Sequence, residues 1–261
     1  MGMRRVPALA IVVFAIAFGG FAYIVAGKTS EPGPPRKAVV VELFTSEGCS
    51  SCPPADELLT HLRQDLAQQG IEVIPLGFHV DYWNSLGWKD RFSSAEFSQR
   101  QEQYTESLRV GGPYTPQMVV DGTTELVGND RPGVHTAITE AAARPAAVDI
   151  RLSTPEPGRL DVKVSNNWAV NGVVRMAITE DNLITKVGAG ENNGHELHHD
   201  AVVRRLRRLA DLQRGSFLGG FALHIEKEWK LENLRVVVFV QEGDAGKIFG
   251  AASVPLNAQT R

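Results

Sequence analysis

Residues 37–56 read KAVVVELFTSEGCSSCPPAD, and this stretch decides the fold. Lys37 to Phe44 is a continuous apolar run rich in valine, the pattern of a strand buried on both faces. Both cysteines of the chain, Cys49 and Cys52, follow at once, and two prolines come after them. Ala55 to Gln69 then places Leu58, Leu59, Leu62 and Leu66 on one helical face, and Gly70 supplies the stop. Ile71 to Phe78, IEVIPLGF, is a second strand. Strand, helix and strand make a βαβ unit, so the two strands are expected to be parallel with a right-handed crossover.

Working outward, residues 94–109 read as a more polar helix. Thr115-Pro116 precedes a third strand, Gln117 to Val120. Asp121-Gly122 is a hairpin signal before Thr123 to Val127, and Gly133 to Ala143 is a closing helix. The order β-α-β-α-β-β-α predicts a thioredoxin-like α/β domain over 37–145. From Ala147 the texture changes. VDIRLSTP, GRLDVKVSN, VVRMAITE, FALHIEKEW, LRVVVFVQE and IFGAASVPL alternate apolar and polar residues between turns. This predicts an antiparallel β-sandwich, immunoglobulin-like, over 146–261. Asp200 to Leu212 is ambiguous, because Val202, Val203, Leu206 and Leu209 fit a helix while the neighbours are strands.

The chain has 261 residues, 43% of them hydrophobic and 22% charged, as expected of a globular protein. A net charge of −3 gives no reason to expect nucleic acid as a partner. The basic run Arg204-Arg205-Leu206-Arg207-Arg208 reads as a solvated face. At the other end, Val6 to Ala26 carries no charged residue and follows Arg4 and Arg5. At about 1.5 Å per residue it can span a membrane. Residues 1–27 are therefore expected to be an uncleaved anchor, with a cleaved signal peptide as the rival, and 28–36 a linker. Either way the rest of the chain is placed outside the cytoplasm, in the periplasm.

In an oxidising compartment C-x-x-C serves as a structural bridge, a redox pair or two ligands of a soft metal. So small a disulfide loop restrains the unfolded chain by only about 2 kcal/mol, which argues against a purely structural use. As a redox pair, Cys49 is the exposed attacker and Cys52 resolves the mixed disulfide. Pro53 is expected to push Cys52 out of helical dihedrals and to start the helix near Pro53 or Pro54. The loop after the second strand, His79-Val80-Asp81-Tyr82-Trp83, lies on the same sheet edge as the cysteines, and so does Thr115-Pro116. His79 with Asp81 is a candidate proton shuttle. Thr115 and a cis Pro116 would present backbone to a substrate chain, with Tyr82, Trp83 and Trp88 as an aromatic wall.

ELFTSEGCSSCPPAD, FHVDYWNSLGWKDRF, YTPQMVVDG and GENNGHELHHDAVVR together resemble a family of bacterial exported proteins catalogued as domain of unknown function 1223. The resemblance covers most of the chain beyond the linker. It implies a thioredoxin-like domain followed by a β-sandwich-like region, and it supplies no reaction. The reading from the residues is an exported thiol–disulfide oxidoreductase, without cofactor, acting on thiols or disulfides of exported proteins. One alternative is copper binding or delivery by Cys49, Cys52 and His79, a set similar to that of copper chaperones of the Sco type. Another is a non-catalytic interaction module. On a strand, His195 and His199 of the segment Gly188 to Asp200 would share one face and His198 the other, which speaks against a shared metal site there.

With Arg4 and Arg5 in the cytoplasm, protease added to intact spheroplasts digests the chain beyond Lys28. Protection of that region would place the folded part inside instead.

Overall fold

In the computed structural model, which describes residues 37–156 and 158–256, the valine run forms β1 (Val39–Thr45), buried along its whole length. Helix α1 (Pro53–Ala67) opens on its two prolines, whose missing N–H groups cost nothing in a first turn. Leu58, Leu59, Leu62 and Leu66 are its buried face, and Gly70, with φ of 69°, lets the chain turn away. β2 (Val73–His79) pairs parallel to β1 with Thr45 opposite His79. A 3-10 turn (Tyr82–Leu86) and α2 (Ala95–Ser107) follow, the helix capped by the Ser94 hydroxyl accepting from the Glu96 N–H. β3 (Gln117–Val120) runs antiparallel to β1, and β4 (Thr124–Val127) antiparallel to β3. Their turn puts Asp121 and Gly122 at φ of 53° and 69°, the positive pair that an Asp-Gly hairpin turn requires. α3 (Arg131–Ala142) closes this part, capped by the Asp130 carboxylate, which accepts from the Gly133 N–H.

The later strands are β5 (Val148–Ser153), β6 (Arg159–Asn166), β7 (Asn171–Glu180), β8 (Leu183–Lys186), β9 (Glu196–His199), β10 (Val202–Gln213), β11 (Phe217–Ala222), β12 (Leu234–Gln241) and β13 (Ile248–Pro255). The protein is therefore mixed α/β, with a large sheet and few helices. That sheet has eight strands in the order β13-β12-β7-β10-β2-β1-β3-β4, so strands on both sides of residue 145 share it. The junction is narrow. β10 meets β2 in parallel at Val202 and Gly77, and the Gly77 N–H donates to the Ala201 carbonyl at 2.8 Å. β11-β6-β5 is a separate three-stranded sheet, and β8-β9 a two-stranded one.

Three apolar layers fill the spaces between these elements. Leu58, Leu62, Leu66 and Ile138 pack α1 and α3 on one face of β1, β2 and β3. Phe44, Phe78, Phe97 and Tyr104 pack α2 on the other, together with Phe239 of β12. Val162, Val164 and Leu160 of β6 pack against Ile178, Val236 and Val238 of the large sheet.

One open reading is resolved and one strand expectation is corrected. Asp200 to Leu212, which fits helix or strand in sequence, is strand from Val202, because β10 pairs with β7 along its length and absorbs its irregular pattern in two register shifts. Cross-strand pairing overrides a helical apolar spacing here. The FALHIEKEW segment is strand only to Ala222, since β11 pairs with β6 from Phe217 onward and stops there. The run Val6 to Ala26 and the linker lie outside the described residues. Among the described residues no helix is long and apolar enough to cross a membrane.

Glu42 of β1 is fully buried. Arg100 of α2 donates to it from Nε at 2.6 Å and Nη2 at 2.9 Å, and the Tyr104 hydroxyl donates at 2.5 Å. Arg100 also donates to Gln241 of β12 at 3.1 Å, so one charge pair ties α2 to both parts of the sheet. Burial disfavours the guanidinium charge, but the Glu42 carboxylate outweighs burial and drives the Arg100 pKa up. Arg100→Met strands a buried carboxylate and is expected to cost roughly 3–5 kcal/mol in urea unfolding. Arg100→Met combined with Glu42→Leu should recover much of that loss. A single-variant cost below about 1 kcal/mol would contradict this role.

Candidate functional site

Because β1 and β2 are parallel and β3 is antiparallel to β1, Thr45, His79 and Gln117 all end at one sheet edge. Cys49 and Cys52 sit above that edge as a disulfide with Cα atoms 5.4 Å apart. The Thr115–Pro116 peptide is cis, and the Trp83 indole N–H donates to the Thr115 hydroxyl at 2.9 Å, joining the second and third stretches. The three segments expected to converge do so.

Cys52 caps α1, its carbonyl accepting from the Ala55 and Asp56 N–H groups at 2.8 and 3.1 Å. Its dihedrals are helical, φ −79° and ψ −37°, which corrects the expectation that Pro53 would expel it from that region. The two accepted hydrogen bonds offset the pre-proline crowding. Cys49 is corrected more seriously. It was expected to be exposed, yet both cysteines are 0% accessible, although Ser50 and Ser51 between them are exposed. The Cys49 Sγ lies 3.4 Å from the Ser51 hydroxyl.

His79 is buried and its Nδ1 lies 2.6 Å from the Asp90 carboxylate. Asp81, expected as its partner, turns away. Its carboxylate accepts from the Ser98 hydroxyl at 2.5 Å, and its own N–H donates to that hydroxyl at 3.0 Å. Asp90 is held by the Glu47 N–H at 2.9 Å, the Phe92 N–H at 2.9 Å, and a bond from its own N–H to Asn84. Burial by itself would lower the His79 pKa. The charge and hydrogen bond of Asp90, with Asp56 and Glu47 nearby, outweigh it and raise the pKa above its ordinary 6.5. Asp90 is lowered in turn, since His79 and the two backbone N–H groups overcome its desolvation.

A second acid–base pair lies beside the first. Glu47, fully buried, accepts from the Trp88 indole N–H at 2.8 Å, and its other oxygen is 3.4 Å from His199 Nε2. The His199 ring meets the His79 ring edge to face at 5.0 Å, with Phe92 against both. Asp56, one turn after Cys52, is pushed up in pKa by burial, against the pull of His199 and His79. It lines, with His199, His61 and His198, a cleft of about 260 Å³ between α1 and β9. The site thus holds Cys49, Cys52, Glu47, Asp56, His79, Asp90 and His199.

The remaining candidates fall elsewhere. Tyr82 donates to Gln101, and Trp83 and Trp88 spend their N–H groups on Thr115 and Glu47, so they support loops more than they form an open wall. His195 and His198 are exposed, apart from the buried His199. Among the described residues no group of three or more His, Cys, Asp or Glu has the arrangement of a metal site. Three of the seven site residues, Glu47, Asp56 and Asp90, were not singled out from sequence, and His199 was weighed only as a metal ligand. The available signal was an acid, Asp56, four residues after a helix-capping cysteine.

A family described as "Protein of unknown function (DUF1223)" matches residues 40–241. A crystal structure of a protein from Agrobacterium tumefaciens is 27% identical, with a TM-score of 0.69, over 85% of this chain and 96% of that one. A domain of the outer-membrane lipoprotein Omp28 from Porphyromonas gingivalis is 16% identical with a TM-score of 0.24, over 44% of this chain and 91% of that one. No curated protein matches the chain.

The His79–Asp90 pair has a defined pH signature. A raised histidine pKa stabilises the fold fully below the unfolded value of 6.5, and that contribution is lost as pH rises through the folded value. A lowered aspartate pKa stabilises above 3.8, and its contribution is lost as pH falls through the folded value. Asp90→Asn should therefore reduce stability most between about pH 4 and 6.5, and progressively less at alkaline pH. Urea unfolding of both proteins from pH 4 to 9 measures this. A destabilisation constant with pH would contradict the charged pair.

Proposed function

The chain belongs to the DUF1223 family of proteins of unknown function, and we propose that it is a thiol–disulfide oxidoreductase acting outside the cytoplasm on exported proteins. The observation that carries the reading is that CSSC leads into α1 from a loop whose Glu47, two residues before Cys49, reaches both buried acid–base pairs, its N–H bonding Asp90 and its carboxylate facing His199. A disulfide that served only to staple a loop would have no use for four buried ionisable groups beside that loop, each of which is costly to desolvate. Titrating groups displaced from their ordinary pKa, as Asp56, His79 and Asp90 are, cluster where protons are moved. The order β2-β1-β3-β4, with a cis proline at the start of β3, supports a thioredoxin-like scaffold for the first part. The packing of β5, β6 and β11 on the large sheet supports a sandwich-like second part.

The step is an exchange. A substrate thiolate attacks the Cys49 Sγ, the Cys49–Cys52 bond breaks, and Cys52 leaves as a thiolate that takes up a proton. The second substrate thiol then displaces Cys49, so two electrons and two protons pass from substrate dithiol to protein dithiol. In the reverse direction the protein disulfide is regenerated and the substrate is reduced. Asp56, whose N–H already bonds Cys52, is the nearest ionisable side chain along the helix, and His199 and His79 are its charge partners. These residues supply or take the proton.

A glutathione titration of residues 28–261 is expected to place the pair between about −270 and −120 mV, whereas an inert bridge lies below roughly −300 mV. Cys52→Ser should accumulate mixed disulfides with exported proteins, and Cys49→Ser should not. A pair that stays oxidised across that range and traps no partner would make CSSC a local staple.

A further inference from the structure

An attacking sulfur must approach along the S–S axis, and neither cysteine is accessible to solvent. Part of the cover must therefore move if the disulfide is to react. β1, β2 and α1 are locked in the large sheet and its leucine layer. The β8–β9 hairpin is different, since it forms its own two-stranded sheet with no ladder bonds to the large one. Its tip, residues 187–195, closes on itself. Val187 donates to the His195 carbonyl, Gly194 to Val187, His195 to Asn192 and Asn193 to Gly190.

This tip rests directly on the cysteine loop. The buried Asn192 donates from one side-chain nitrogen to the Glu47 carbonyl at 2.9 Å and the Cys49 carbonyl at 3.0 Å. The exposed Glu191 carboxylate accepts from the Ser50 N–H at 3.0 Å. Gly190, at φ of 74°, lies so close to Trp88 that a Cβ there would meet the Trp88 Cβ at 3.1 Å. These links grip the residues on both sides of Cys49, and breaking them disturbs no hydrogen bond inside the tip.

We infer that residues 187–195 form the cover that controls access to the Cys49–Cys52 disulfide, with Asn192 and Glu191 setting how often it opens. The inference rests on the redox reading of the cysteines and adds to it two positioning residues from the second half of the chain. Neither residue touches a sulfur atom. They act by holding the Cys49 backbone and Ser50 under the tip, so their loss changes the rate of exchange in both directions and not its equilibrium.

The test is stopped-flow exchange of residues 28–261 with reduced and oxidised glutathione. Glutathione thiolate attacks Cys49, Cys52 leaves and is protonated, and a second glutathione releases oxidised glutathione and the protein dithiol. Asn192→Ala and Glu191→Ala are each expected to raise the forward and reverse rate constants roughly 3- to 30-fold, the size of one or two lost hydrogen bonds. The equilibrium constant should stay within about twofold of wild type, since access alone is altered. Glu191 is exposed, so its variant carries the test if the buried Asn192 variant does not fold. Unchanged rates in the folded variants would overturn the inference while leaving the redox reading intact. So would rates that change only together with the equilibrium constant, because these residues would then stabilise one redox state. A wild-type disulfide that never exchanges with glutathione would remove the redox reading, and the inference with it.

Discussion

Glu47 is a carboxylate with no exposure to solvent, and three of the segments around the cysteines meet at it. Leaving such a group unpaired costs several kcal/mol, so each segment that reaches it is under strong constraint. Its N–H goes to Asp90, its carbonyl to Asn192, one carboxylate oxygen to Trp88, and the other faces His199. One residue thereby fixes the loop that carries the cysteines, the loop after β2 and the β8–β9 hairpin. Backbone and side chain of this one residue thus tie the three segments together.

The same logic operates one layer below. Glu42, five residues earlier, is satisfied by Arg100 and Tyr104 of α2, and Arg100 continues to Gln241 of β12. The two buried acids of the β1 region thus draw on partners from across the chain. This is why a sheet whose two parts meet at little more than Val202 and Gly77 holds a well-defined register. The site is assembled where the two parts join, so cysteine chemistry and its acid–base groups come from stretches about 150 residues apart.

Much of the first part was legible. The valine run, the leucine face of α1, the Asp-Gly turn and the order of elements to α3 follow from local periodicity and turn chemistry, and all appear within a few residues of expectation. Convergence of Cys49, His79 and Thr115 followed from strand direction alone. What stayed hidden depended on long-range contacts. Asp81 looked like the partner of His79 because it is two residues away, but that spacing on an extended chain leading into a 3-10 turn sends it to Ser98, and Asp90 arrives from the far side of the turn. His199 reads from strand spacing as sharing a face with His195, yet His195 is exposed and His199 is buried beside Glu47. The bond from Asn192 to the Cys49 carbonyl comes from a glycine-rich turn that carries no spacing signal for it.

The central claim is that the acid–base groups beside the cysteine loop, His79 in particular, belong to the cysteine pair. Below the thiol pKa of about 8.5, exchange with glutathione moves two protons with two electrons on each side, so its equilibrium constant is flat with pH unless neighbouring groups change protonation with the disulfide. The direct measurement is that constant from pH 5 to 8 for wild type and His79→Asn. The account predicts a bend of severalfold in the wild type that the substitution flattens, because the His79 pKa is raised from an ordinary value of 6.5 that lies in this range. An identical profile for the two proteins would show that His79 has no part in the chemistry and is only packing.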